Sequence, residues 1–297
     1  MQTPRHWIAI ANVVHKHYLD YDGFVLMMGT DTMAYAASAL SFLLENLGKT
    51  VVITGSMVPL AESYNDARRN VVVSALVAAF MDVPEVAVFM NRSLLRGNRT
   101  TKVHNAGLEA FESPNYPALA RLTTKIVPYK THWRPQASAR LRVQQTWETH
   151  VSVFRLVPGH RDDVIINGMK NATELKAVVV QVLGQGTIGA DKAPLVAAIK
   201  AAVERGVVVV ACSQCLKGRV SLDTYAAAGA LATSGAIGAR DMTVEAIVAK
   251  LGYLLGQQMP VHQVKRLLAT DMRGELSPDE DQDEVHYSKP PTFAGKL

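Results

Sequence analysis

Short unbroken apolar runs alternate with longer stretches of helical periodicity along most of the chain. Residues 24–28, Phe-Val-Leu-Met-Met, predict a short strand buried on both faces. The apolar positions from Met33 to Leu47 predict a helix. Between them lies Gly29-Thr30-Asp31-Thr32, where Gly29 permits a sharp turn and Asp31 or Thr32 is suited to cap the helix. Such a unit sets hydroxyls and a carboxylate at the carboxyl end of a parallel strand, the edge at which open α/β sheets bind ligands.

The alternation extends in both directions. Trp7, Ile8, Ile10, Ala11, Val14, Tyr18 and Leu19 fall at helical spacing over residues 6–19, with Pro4 suited to the first turn. Gly48 reads as the residue ending the Met33–Leu47 helix, and Thr50–Thr54 as the next buried strand. A helix of small apolar residues runs from Asp66 to Phe80, followed by a strand at Val86–Met90 and a polar loop, Asn91–His104, that carries Lys102. From Ser113 to Pro135 the pattern breaks, with prolines at 114, 117, 128 and 135. It resumes with strands at Val151–Leu156, Ala177–Leu183 and Val207–Ala211, a helix at Pro194–Glu204, and helices to about Leu268. Strand and helix in alternation predict an α/β fold of mostly parallel sheets flanked by helices. The break places a junction within residues 115–150, which divides the chain into a first domain at 1–120, a linker at 121–150, a second domain at 151–275 and a polar tail at 276–297. The tail carries an acidic run from Asp279 to Glu284 and reads as solvated chain.

Composition narrows the classes. A hydrophobic content of 48% with 19% charged residues suits a globular enzyme. No apolar run reaches the roughly 18 residues of a membrane span, and the N-terminus lacks the charged and apolar regions of a secretory signal. The net charge of +5 is spread without a basic stripe, so neither nucleic acid nor membrane is an expected partner. The two cysteines, Cys212 and Cys215, form one C-x-x-C after a strand, with no second ligand pair for zinc, and read as buried and inert. They fit a reducing cytoplasm. Gly184-x-Gly186-x-x-Gly189 matches the dinucleotide fingerprint in form only. The next helix is expected at Pro194, five residues past the third glycine, and the following strand ends without an acidic residue for a ribose.

Gly29-Thr30-Asp31-Thr32-Met33, with Ala34-Tyr35-Ala36-Ala37-Ser38 behind it, resembles a signature of the L-asparaginase family, in its type I, cytoplasmic branch. Four further segments resemble the family in family order. They are Val52–Ser56, Arg96-Gly97-Asn98-Arg99-Thr100-Thr101-Lys102, Ser213-Gln214-Cys215 and Arg240–Ala246. The resemblance implies a two-domain fold and hydrolysis of L-asparagine to L-aspartate and ammonia, without metal or cofactor, in a homodimer or homotetramer. It also implies one catalytic group made of Thr30, Asp31 and Lys102, with Thr30 and Asp31 touching substrate. A threonine hydroxyl is inert at neutral pH unless its proton has a recipient, and a lysine within hydrogen-bond reach is one. Asp31 would orient that lysine while favouring its ammonium form.

The departures from the family matter as much. Its earlier Thr-Gly-Gly-Thr strand, whose first threonine is the usual nucleophile, has no counterpart in these residues, nor do its catalytic tyrosine and substrate-binding serine motif. Met1–Trp7 matches the helix just after that serine motif, so the first domain reads as N-terminally truncated. Loss of a nucleophile that works within a unit can cost on the order of 10⁶ in kcat. An exposed apolar edge is therefore expected beside the Phe24–Met28 strand, together with weak turnover. Met28 stands where the family has a histidine, and reads as packing. Thr187 stands where the family often has an asparagine, and Cys215 matches a cysteine bordering an allosteric asparagine site, so both are candidate effector positions. Two other readings remain open: a non-catalytic chain that binds asparagine or a partner, and the amidase module of a tRNA-dependent amidotransferase.

Overall fold

The computed structural model describes residues 3–189, 192–222 and 229–278. The acidic run from Asp279 onward lies outside the described residues. Helix α1 (Pro4–Lys16) leads to strand β1 (Gly23–Met27), a 3-10 turn at Thr30–Thr32 and helix α2 (Met33–Leu43). Then come β2 (Leu44–Glu45), β3 (Thr50–Thr54), α3 (Ala67–Phe80) and β4 (Val86–Met90). Five short strands follow: β5 (Ser93–Arg96), β6 (Thr101–Lys102), β7 (Phe111–Glu112), β8 (Ala120–Leu122) and β9 (Ile126–Pro128).

Strands β1, β3, β4, β5, β8 and β9 form a six-stranded sheet in that order. Its first three strands are parallel, with Phe24 opposite Val51 and Val52 opposite Ala87. The remaining three pairings are antiparallel, so the sheet is mixed. Of these outer strands, β5 comes from the polar loop after β4, and β8 and β9 from the stretch in which prolines interrupt the pattern. Each is only a few residues long, too short for a period of two to show.

Strand β10 (Arg142–Val143) pairs back with β2, and the second sheet begins at β11 (Val151–Arg155). Helix α4 (Asp163–Asn171), β12 (Ala177–Val182), α5 (Ala193–Glu204) and β13 (Val208–Ser213) continue it. After α6 (Gly229–Thr233) and β14 (Ile237–Gly238) the chain finishes in α7 (Val244–Gly256) and α8 (Val261–Leu268). Strands β11, β12, β13 and β14 are parallel throughout. Val178, Val179 and Val180 on β12 are fully buried, the continuous apolar run of a strand covered on both faces.

The six-stranded and the four-stranded sheet each carry apolar clusters on both faces, which makes the architecture α/β. On the first sheet, Val51, Ile53 and Val88 pack with α1 and α2, while Val52, Ala87 and Phe89 pack with α3. Helix α2 is apolar nearly all round because both of its sides are covered. Leu40 and Leu43 face the first sheet, whereas Phe42 joins the second unit's core and lies 5.7 Å from the Tyr253 ring on α7. A glycine is required on α7, where a Cβ at Gly252 would sit 2.4 Å from the Trp147 indole.

Three local expectations change. The helix from Met33 ends at Leu43, because Leu44 and Glu45 leave it to pair with β10. Gly48 therefore ends no helix, and its N–H donates to the Tyr18 hydroxyl at 2.8 Å. Strand β1 is not buried on both faces. Among the described residues it is the edge of its sheet, half-buried along its length, with Met27 70% exposed.

Beside that edge, α3 presents Val72, Leu76 and Phe80 to solvent, and a cleft of about 690 Å³ runs between Met27, Leu60 and Val72. An apolar strand edge next to an apolar helix face is an association surface. We expect the 297-residue chain to enhance the fluorescence of a hydrophobic dye, and M27K/L76E to reduce that signal severalfold. A monodisperse monomer without dye enhancement would show that this surface is covered in solution.

Candidate active site

Thr30 and Asp31 stand in the 3-10 turn at the carboxyl end of β1. Gly29, just before them, is extended (φ −62°), and a Cβ there would meet nothing within 4 Å, so this bend makes no local demand for glycine. Thr32 occupies the N-cap position of α2, but its side chain makes no capping bond. The turn residues are thus not spent on the helix end.

Lys102 arrives from a different strand. The loop that carries it is buried, with Asn98, Arg99 and Thr100 withdrawn from solvent. Gly97 passes so close to β4 that a Cβ would lie 2.9 Å from the Val86 carbonyl. Buried Arg96 pairs with Glu85 at 2.5 Å, and its guanidinium lies 4.2 Å from the centroid of the Tyr116 ring. Buried Arg99 donates to Asp241 at 2.8 Å and to the Gly274 carbonyl at 2.7 Å, and Asn98 donates to the Arg273 carbonyl at 2.9 Å. Burial pushes the Asp241 carboxyl up, but the Arg99 charge and the hydrogen bonds from Ser277 outweigh it and hold that carboxyl below its ordinary range. These side chains tie the loop before Lys102 to residues 241 and 273–277. Hydropathy hid them, since a buried, paired arginine and an exposed one look alike in sequence. The density of polar types in Arg96-Gly97-Asn98-Arg99 was the available signal.

So anchored, Lys102 Nζ donates to Thr30 Oγ1 at 2.8 Å and to Asp31 Oδ1 at 2.6 Å. The turn after β1 and the strand β6, which pairs with β7, thus bring three side chains together. The Lys102 side chain is 18% exposed and that of Asp31 93%. A cavity of about 510 Å³ opens on them, lined also by Val103, His104 and Asn105. His104 Nδ1 accepts the N–H groups of Ala106 and Gly107, at 3.0 and 2.8 Å, which leaves the proton of the neutral ring on Nε2. A lysine nitrogen bonded to both a hydroxyl and a carboxylate can hold a polar ligand and pass a proton from one to the other.

The other sequence candidates lie on the second sheet. Thr187 is exposed after β12, and Cys215 is exposed after β13. Their loops meet through Ser213, whose hydroxyl donates to the Gly184 carbonyl at 2.7 Å and accepts from the Cys215 N–H at 3.0 Å. Only Cys212 is buried, its thiol pushed up to about 12 by burial, so the expectation of two buried cysteines is corrected for Cys215. Helix α5 starts at Ala193, set back from Gly189. Met28 packs against the first core cluster. Among the described residues no helix is long and apolar enough to cross a membrane.

Comparisons bear on both halves of the chain. Residues 1–135 match the family model described as Asparaginase, N-terminal, and residues 150–268 match that of the Glutaminase/Asparaginase C-terminal domain. L-asparaginase 1 of Escherichia coli (strain K12) is 43% identical over 278 residues, covering 94% of this chain and 81% of that protein. The crystal structure of L-asparaginase I from Vibrio cholerae superposes with a TM-score of 0.87 at 40% identity, over 93% of this chain and 83% of that one. A glutamyl-tRNA(Gln) amidotransferase subunit of Pyrococcus furiosus is 32% identical, over 98% of this chain and 65% of that protein.

Proposed function

The chain belongs to the asparaginase family, and from that premise we propose that Thr30, Lys102 and Asp31 serve the hydrolysis of L-asparagine to L-aspartate and ammonia. One observation carries the reading: a single lysine nitrogen lies within hydrogen-bond reach of both the Thr30 hydroxyl and the Asp31 carboxylate. In this reading Lys102 manages the proton of Thr30, and Asp31 orients the lysine. Lys102 takes the hydroxyl proton only after its own nitrogen has given one up, and Asp31 Oδ1, 2.6 Å away, is an acceptor for it. The exposed carboxylate gives that proton a path to solvent. The net reaction consumes one water and releases one ammonia. We further propose a homo-oligomer, with Thr187 and Cys215 facing an effector.

The test is ammonia release from L-asparagine, run beside Thr30→Val and Lys102→Met. Turnover at any level that falls to background in both variants supports the assignment, and turnover that survives either variant refutes it. Should the chain give no turnover, protection of Lys102 from acylation by L-asparagine, and not by L-alanine, reads the same site. Similarity to the amidotransferase favours a second reading, an amidase module. That reading requires ammonia release to appear only with a partner protein.

A further inference from the structure

Lys102 is also reached from the second matched segment, through its neighbour. Thr101 and Lys102 form β6, with Thr101 opposite Glu112 and Lys102 opposite Phe111. Consecutive strand residues point to opposite sides, so whatever fixes Thr101 sets the direction of Lys102. The Thr101 hydroxyl donates to Glu245 Oε1 at 2.7 Å. Both residues are buried, at 8% and 9% exposure. Glu245 stands in the first turn of α7, two residues after the N-cap Thr243, whose own side chain accepts from the Ala246 N–H at 3.1 Å. Thr243 caps the helix end, and the Glu245 carboxyl, besides its bonds within that first turn, reaches across to Thr101. Burial pushes its carboxyl up, against hydrogen bonds from its own backbone, Thr101 and Thr243. Tyr35, early in α2, is pushed up by burial and by the nearby Glu245. A carboxyl withdrawn from water is costly unless its partner is held in place.

We propose that Glu245 is a positioning residue: by holding Thr101 it aims Lys102 at Thr30 and Asp31, so that a helix of the second segment controls the lysine of the first. The inference deepens the reading of Lys102 as part of the active site, and its test needs no turnover. The readout is the rate at which acetyl N-hydroxysuccinimide labels Lys102 in the full chain, measured by peptide mass spectrometry relative to Lys49. Lys49 is a remote control, its ammonium donating to the carbonyls of Tyr18 and Tyr21 at 2.5 and 2.7 Å.

Loss of one hydrogen bond to a buried group should release Lys102 by about tenfold in Thr101→Val, whereas Thr101→Ser stays near the unsubstituted chain. Glu245→Gln keeps an acceptor of the same size without the charge and should raise the ratio about threefold. A Lys102:Lys49 ratio unchanged in both Thr101→Val and Glu245→Gln overturns the proposal, including the case in which both lysines rise together. If Thr101→Val does not fold, Glu245→Gln decides alone. Failure of the ammonia assay leaves this ratio unaffected, so the two readings fail separately.

Discussion

The 297-residue chain is expected to release ammonia from L-asparagine at least about 10³-fold more slowly than Escherichia coli L-asparaginase 1 under the same conditions. Thr30 and Lys102 are in contact, and the expectation rests on the family resemblance, which implies a nucleophile on a Thr-Gly-Gly-Thr segment with no counterpart within residues 1–297. Residues that act as a unit fail as a unit, and deleting one member costs roughly 10⁴–10⁶ in kcat. The exposure of the group points the same way. Asp31 is 93% exposed, so its attraction for Lys102 acts largely through water, where two unit charges at contact are worth about 1 kcal/mol. A carboxylate so open to solvent also forfeits the preorganised electrostatics that usually lower such barriers most. Parallel assays of the two purified proteins at saturating L-asparagine check this. Turnover within tenfold of the relative would show that Thr30 and Lys102 suffice, and that the role given to the earlier threonine is wrong.

The largest expected effect on stability comes from Lys250→Met, at about 3–5 kcal/mol of unfolding free energy. Lys250 is fully buried in α7, where its ammonium pairs with buried Glu275 and donates to the carbonyls of Leu268 at 3.1 Å and Thr270 at 2.5 Å. Burial pushes the Glu275 carboxyl up, and Lys250 outweighs it, holding that carboxyl below its ordinary range. Remove the lysine and a buried carboxylate remains beside Asp271, whose own carboxyl is raised by burial and by Glu275. The backbone N–H groups of Met272 and Arg273 still donate to Glu275, but they carry no full charge. Urea unfolding monitored by circular dichroism should show the loss, and adding Glu275→Gln should recover part of it. A change below about 1 kcal/mol would mean that the pair is not desolvated as described. Because Gly274 accepts from Arg96 and Arg99, the same substitution should loosen the loop before Lys102.

Much of the fold was legible as pattern. Strands at Thr50–Thr54 and Val86–Met90, and the helix through Pro194, were readable because each buries an unbroken apolar run or stripe against its neighbours. The antiparallel outer half of the first sheet was not, because strands of three and four residues, set in a polar loop and among prolines, carry no period. The end of α2 was missed for a related reason. Leu44 and Leu47 are apolar and buried, as a helix would have them, and only pairing with Arg142–Val143 takes Leu44 and Glu45 out of the helix.

The site divides along the same line. By itself the sequence determined which chemical groups are present and that Thr30 and Asp31 follow a strand, since both are properties of a short contiguous segment. It also determined the family, whose motifs span most of the chain. Only the tertiary structure decided that Lys102, 72 positions from Thr30, comes within 2.8 Å of it. Contacts of that separation depend on how the β6 loop is held, here by Arg96, Asn98, Arg99 and Thr101 reaching residues between 85 and 274. A polar side chain's partner is set by where the chain folds back, and local hydropathy holds no trace of it.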